Sequence, residues 1–211
     1  MNSQTSPILN RLAIFNKNKS FVYPIDTEWI LEETKLGEGL QELDWKNLLE
    51  YQVYVTGGSL IRACLDKEED GDIDILVENW HSRLSKKLDE RGIVESPSRP
   101  ECLYEKHLDK PNKGLHVFHN KSGTHSFDLV HNQYKLFAKN NRLKLFLPDA
   151  TYDAWKQHKI ILNQPACGPK TRERCVKYID LDMNLPSLDD VQFLHRCQTD
   201  NTWPSRVFYN K

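Results

Sequence analysis

The stretch from Val53 to Val77, VYVTGGSLIRACLDKEEDGDIDILV, decides the fold. Val53-Tyr-Val-Thr56 is a β-branched and aromatic run that reads as a strand, and Gly57-Gly58 ends it abruptly. Ser59 to Leu65 reads as a helix, Asp66 to Gly71 as a charged loop, and Ile73 to Val77 as a second strand. Residues two apart on a strand share a face, so Asp72 and Asp74 project together while Ile73, Ile75 and Val77 face a core. Adjacent carboxylates repel one another unless a cation or a proton intervenes. A hard cation such as Mg²⁺ suits them, because it takes oxygen ligands and keeps water or phosphate in its remaining positions. Taken alone, Asp-x-Asp is more simply a strand showing two acids to solvent. The turn changes that balance. Backbone N–H groups of Gly57, Gly58 and Ser59 at a helix start suit a phosphate, and the Ser59 hydroxyl adds a further donor. A Gly-Gly turn alone is usually just a turn, but here it precedes the two acids and sets triphosphate and metal side by side.

Outward from this stretch, Asp26 or Thr27 can cap a helix carrying Trp29, Ile30 and Leu31. Leu43, Trp45, Leu48 and Leu49 predict a helix over 40–51, and Leu84 and Leu88 one over 81–91 that Gly92 stops. The runs 115–119 and 126–130 flank Lys121-Ser-Gly-Thr124 and read as a hairpin. Ser187 with Asp190 marks another helix start. The order is helix, strand, Gly-Gly, helix, strand, helix, hairpin, which predicts an α+β fold with a small mixed sheet and flanking helices. The expected division is an irregular segment over 1–25, a catalytic core over 26–135 and an extension packed on it over 136–211.

The bulk properties constrain the function less. With 211 residues, 38% hydrophobic and 28% charged, the chain suits one globular core. A net charge of −1 gives no overall basic field for nucleic acid, although charge can be segregated. Lys135, Lys139, Arg142 and Lys144 form one locally basic run, and Lys170, Arg172, Arg174 and Lys177 another; solvated faces of helices or turns account for either run alone. Five scattered cysteines, no Cys-x-x-Cys pair and no convincing signal peptide predict reduced thiols and a cytoplasmic setting. No zinc site is expected, since nothing completes His195-Arg-Cys197. No apolar run is long enough to span a membrane.

Val55-Thr-Gly-Gly-Ser59 followed after a helix by Gly71-Asp-Ile-Asp-Ile-Leu-Val77 resembles the polymerase-β-like nucleotidyltransferase superfamily. The spacing from Gly58 to Asp72 is close to that in the heads of CCA-adding and poly(A)-adding enzymes. Where those enzymes typically carry Val-Arg-Asp, this chain has Leu60-Ile-Arg-Ala63. The resemblance implies a nucleotidyltransferase-like fold in which Asp72 and Asp74 hold Mg²⁺ (or Mn²⁺) against a nucleoside triphosphate. It places the family's third carboxylate at Phe127-Asp128-Leu129, with Asp128 ligating the catalytic metal. Gly57, Gly58 and Ser59 would receive phosphate, and Arg62 is a candidate phosphate clamp or a surface arginine. The implied reaction transfers a nucleoside monophosphate to an acceptor hydroxyl and releases pyrophosphate. The acceptor stays open between an RNA or tRNA end, a protein hydroxyl and a small molecule. About 80 residues after Asp128 leave little room for a helical body that grips RNA; a minimal enzyme of this kind would work alone on a small acceptor or depend on a partner chain.

Two rival readings remain. Asp66-Lys-Glu-Glu-Asp-Gly71 partly matches a calcium loop, but Val77 stands where a bidentate Glu belongs. The other is a catalytically inactive member that serves as a binding or assembly protein.

Overall fold

The computed structural model describes residues 6–17, 21–49, 52–67, 72–95, 104–107, 114–119 and 127–204. The helices are α1 (Pro7–Arg11), α2 (Thr27–Glu33), α3 (Lys35–Glu42), α4 (Trp45–Leu48), α5 (Ser59–Cys64), α6 (Ser82–Asp89), α7 (Asp149–Lys156), α8 (Thr171–Ile179) and α9 (Leu188–Thr199). The strands are β1 (Val22–Pro24), β2 (Val53–Thr56), β3 (Ile73–Val77), β4 (Val94–Glu95), β5 (Tyr104–His107), β6 (Gly114–His119), β7 (Lys135–Lys139) and β8 (Arg142–Phe146). They form one mixed sheet in the order β1-β8-β7-β2-β3-β6-β5-β4. Among these strands only β3 and β6 run parallel; every other neighbouring pair is antiparallel.

Local chemistry accounts for the element ends. Asp26 caps α2, its Oδ1 accepting the Trp29 N–H at 3.0 Å, and Ser187 Oγ accepts the Asp190 N–H at the start of α9. His81 caps α6 through Nδ1, and Gly92 comes after that helix at φ +67°. The helix expected over 40–51 is two helices, α3 and α4. Asp44 breaks it in the left-handed region at φ +50°, where its carboxylate accepts from Asn47 and Arg91. The apolar stripe is buried all the same, with Leu43, Trp45, Leu48 and Leu49 each at most 4% exposed.

The predicted hairpin is not formed. β6 pairs with β3 and with β5, and the residues of the expected turn, 121–124, lie outside the described residues. Asp128 stands in a bend, and Val130–Asn132 is a 3₁₀ turn. The backbone here is engaged elsewhere: Val130 N–H donates to Ile161 O, Asn163 N–H to Asp128 O, and Trp155 Nε1 to His131 O. The basic run from Lys135 to Lys144 is the antiparallel pair β7–β8 rather than a helix or turn face. The sheet draws on all three expected segments, since β1 precedes residue 26 and β8 lies beyond residue 135.

One face of the sheet carries Val53, Val55, Ile73, Ile75, Val77, Leu115, Val117, Leu136, Leu143 and Leu145, all buried in the core. Asp74, Thr56, Tyr54 and His116 fall on the other face by register. No described helix is long and apolar enough to cross a membrane.

Candidate active site

Antiparallel pairing of β2 with β3 sets Thr56 opposite Asp74, so the Gly57-Gly58 turn leaves β2 directly beside the acids. Gly57 has φ +77°, a conformation glycine adopts without steric cost. A Cβ there would stand 2.3 Å from Asp74 Oδ2. Asp72 and Asp74 are partly exposed, with side chains 46% and 32% accessible. Asp72 Oδ1 accepts the Gly114 N–H at 3.1 Å, which fixes the carboxylate against the start of β6. Parallel register sets His116 of β6 beside Asp74, its Nδ1 3.6 Å from Asp72 Oδ2 and 3.8 Å from Asp74 Oδ1.

A cleft of about 920 Å³ opens over these acids. Gly58, Arg62 and Lys67 line it from the α5 side, and Arg174, Lys177 and Tyr178 from α8. Arg62 Nη2 donates to the Asp72 carbonyl at 3.1 Å, and a Cβ on Gly58 would meet both Arg62 Nη1 and Tyr178 Oη. Tyr178 donates its hydroxyl to Asn132 Oδ1 at 2.6 Å, and burial raises its pKa well above the usual phenol value. The tyrosine is thus a neutral hydrogen-bonding group with its oxygen against the glycine turn.

Of the residues expected from sequence, Asp72, Asp74, Gly57, Gly58 and Arg62 come together. Ser59 does not offer its hydroxyl to the cleft: the residue is 5% exposed and its Oγ is buried. Asp128, expected as the third metal ligand, is engaged by partners of its own. Its buried carboxylate accepts Thr171 Oγ1 at 2.6 Å and Arg174 Nη1 at 2.8 Å. Among the described residues no three His, Cys, Asp or Glu side chains converge closely enough to enclose an ion by themselves. The calcium-loop reading fails because strand β3, rather than an exit helix, comes after Gly71.

Sequence reasoning missed His116, Asn132 and Lys67, and it gave Lys177 no place beyond a locally basic run. The alternation in Leu115-His-Val-Phe-His119 marked a strand, but nothing in the chain announced its parallel partner.

This architecture is shared with solved enzymes. A CCA-adding enzyme in complex with ATP superposes with a TM-score of 0.62 at 15% identity, over 88% of this chain and 47% of its own. The Thermotoga maritima CCA-adding enzyme complexed with tRNA gives 0.58 at 16%, over 83% and 45%. A tRNA-processing enzyme in an apo form gives 0.53 at 18%, over 79% and 48%. The fold is nucleotidyltransferase-like. At such identities the likeness is one of fold, and the chain spans about half the length of the structures it matches. Neither a protein-family model nor a curated protein matches the sequence.

Proposed function

We propose that this chain is a divalent-metal-dependent nucleotidyltransferase, moving a nucleoside monophosphate from a nucleoside triphosphate to an acceptor hydroxyl with release of pyrophosphate. The observation that carries this reading is the meeting of Asp72 and Asp74 with the Gly57-Gly58 turn in one cleft lined by Arg62, Lys67, Arg174 and Lys177. The fold shared with enzymes solved with ATP, with CTP and with tRNA supports nucleotide and RNA partners.

The donor set fits Mg²⁺ or Mn²⁺. Two partly exposed carboxylates, one oriented by the Gly114 N–H, offer hard oxygens, and Mg²⁺ commonly uses one or two carboxylates with substrate phosphate and water. A bound ion would neutralise phosphate charge and lower the pKa of the attacking hydroxyl. The chain's own residues bind and orient. Arg62 and Lys177 bring positive charge to the triphosphate, Lys67 and Arg174 are shared with Asp182 and Asp128, and the glycine turn adds backbone N–H groups with no Cβ of its own in the way. Tyr178 and Asn132, locked to each other, form the wall against the glycine turn. Asp128 acts at one remove, holding Arg174 at the cleft.

The experiment is a titration of Mg²⁺ and Mn²⁺ with each α-³²P-labelled nucleoside triphosphate, following label into RNA, protein and small molecules. Wild type is compared with Asp72→Ala/Asp74→Ala. Transfer abolished in the double variant establishes the reaction and names base and acceptor. Absence of both transfer and metal-dependent triphosphate binding in wild type overturns it and leaves a binding or assembly protein on the same fold.

A further inference from the structure

The basic run from Lys135 to Lys144 has no part in the reaction proposed above, and the β7–β8 pair gives it a definite shape. Lys135, Phe137 and Lys139 alternate along β7; Arg142, Lys144 and Phe146 alternate along β8. Register pairs Lys135 with Phe146, Phe137 with Lys144 and Lys139 with Arg142, so all six share one face. Val55 pairs with Leu136 and Thr56 with Asp74, so Tyr54 and Asp74 lie on that face too.

Tyr54, Phe137, Phe146 and Val22 line a depression of about 390 Å³, with Lys135 and Lys139 beside them. The rings of Tyr54 and Phe137 meet edge to face at 6.0 Å. Lys135 Nζ lies 5.0 Å from the Tyr54 ring centre and is ion-paired with Glu78. Lys139, Arg142 and Lys144 have no carboxylate at ion-pair distance among the described residues. In a chain with a net charge of −1, three cations without an ion-pair partner among the described residues thus share one sheet face with an aromatic hollow, and Lys139 lines it.

The chemistry that matches is a polyanion with flat apolar faces. A duplex keeps its base faces inside the stack and offers such a hollow only its backbone. An acidic peptide offers charge but no rings. A single strand offers both, its bases stacking on aromatic side chains while its phosphates track the cations. We propose that the open face of β7 and β8, with Tyr54, binds single-stranded RNA. The bases lie against Tyr54, Phe137 and Phe146, and the phosphates run along Lys139, Arg142 and Lys144. Because Asp74 is on the same face, the bound strand supplies the acceptor hydroxyl. That last step rests on the nucleotidyltransferase reading; the binding does not.

The test is fluorescence anisotropy of a short labelled oligouridine with the full chain, over a range of salt. Lys139→Glu/Lys144→Glu alters exposed and half-exposed side chains only, and is expected to weaken binding about tenfold or more and to flatten the salt slope by roughly 1.4. Phe137→Ala is expected to weaken binding about fivefold or more with the slope unchanged, the signature of lost stacking. Thermal melts report folding, and the charge-reversed variant keeps the test open if Phe137→Ala fails to fold. Unchanged affinity after charge reversal overturns the proposal, as does polyglutamate or duplex RNA binding wild type as tightly as oligouridine. Asp72→Ala/Asp74→Ala is expected to bind oligouridine like wild type, so loss of transfer and loss of strand binding are separate results.

Discussion

Gly57 and Asp74 stand so close that the turn and the acid coexist only because residue 57 has no side chain: a Cβ there would lie 2.3 Å from Asp74 Oδ2. Gly57→Ala must push the carboxylate aside and also hold φ near +77° with a Cβ attached. The expected cost is about 1 kcal/mol or more of stability. Label transfer should fall on the order of a hundredfold, because small displacements of reacting groups are heavily penalised. Urea unfolding and the labelled-triphosphate assay measure the two effects; transfer at wild-type rate would mean that Asp74 is not required where it stands.

Asp128 is expected to behave as a structural acid. Its carboxylate accepts from the buried Thr171 hydroxyl and from Arg174, and Asp128→Ala strands the first of these. The expected loss is about 1–3 kcal/mol in urea unfolding, with Asp128→Asn losing less because an amide oxygen still accepts. Mn²⁺ binding, measured by calorimetry, should be unchanged in Asp128→Asn. A large loss of metal affinity there would return Asp128 to the role of ligand.

His131 makes acid stability informative. It is fully buried against Tyr178, the ring centres 4.1 Å apart, and burial lowers its pKa from 6.5 to about 3. Unfolding then takes up a proton once pH drops below 6.5, so this contribution to stability is complete above that pH and declines towards pH 3. Between pH 6.5 and pH 5 wild type should lose about 1.6 kcal/mol more than His131→Phe. Equal pH dependence of the two proteins in urea unfolding would place a charge-stabilising partner near the imidazole.

Cys167 and Cys175 should be inert in the folded protein. Burial, with Asp128 nearby, pushes both thiols up to about 12, so neither supplies appreciable thiolate at pH 8. Iodoacetamide labelling and then peptide mass spectrometry should find both unmodified until denaturant is added. Rapid native labelling at either would show that the α8 region opens.

The 53–77 stretch by itself determined the nucleotidyltransferase-like element order and the pairing of Asp72 with Asp74. Both come from short-range rules, since a strand's two-residue period and the freedom of glycine act over a few bonds. The caps at Asp26 and Ser187 were legible for the same reason. Asp128 shows where such reading stops. Its apolar neighbours suggested a strand, yet its backbone and carboxylate are claimed by Asn163, Thr171 and Arg174, residues more than thirty positions away. Only the tertiary structure decided that His116 stands beside the acids, because parallel pairing of β3 with β6 joins segments about forty residues apart and leaves no local signal. It alone decided that the cations between Lys135 and Lys144 share a face with Asp74. Cross-strand register sets that, and register is fixed by the burial of Leu136, Leu143 and Leu145 on the opposite side of the sheet.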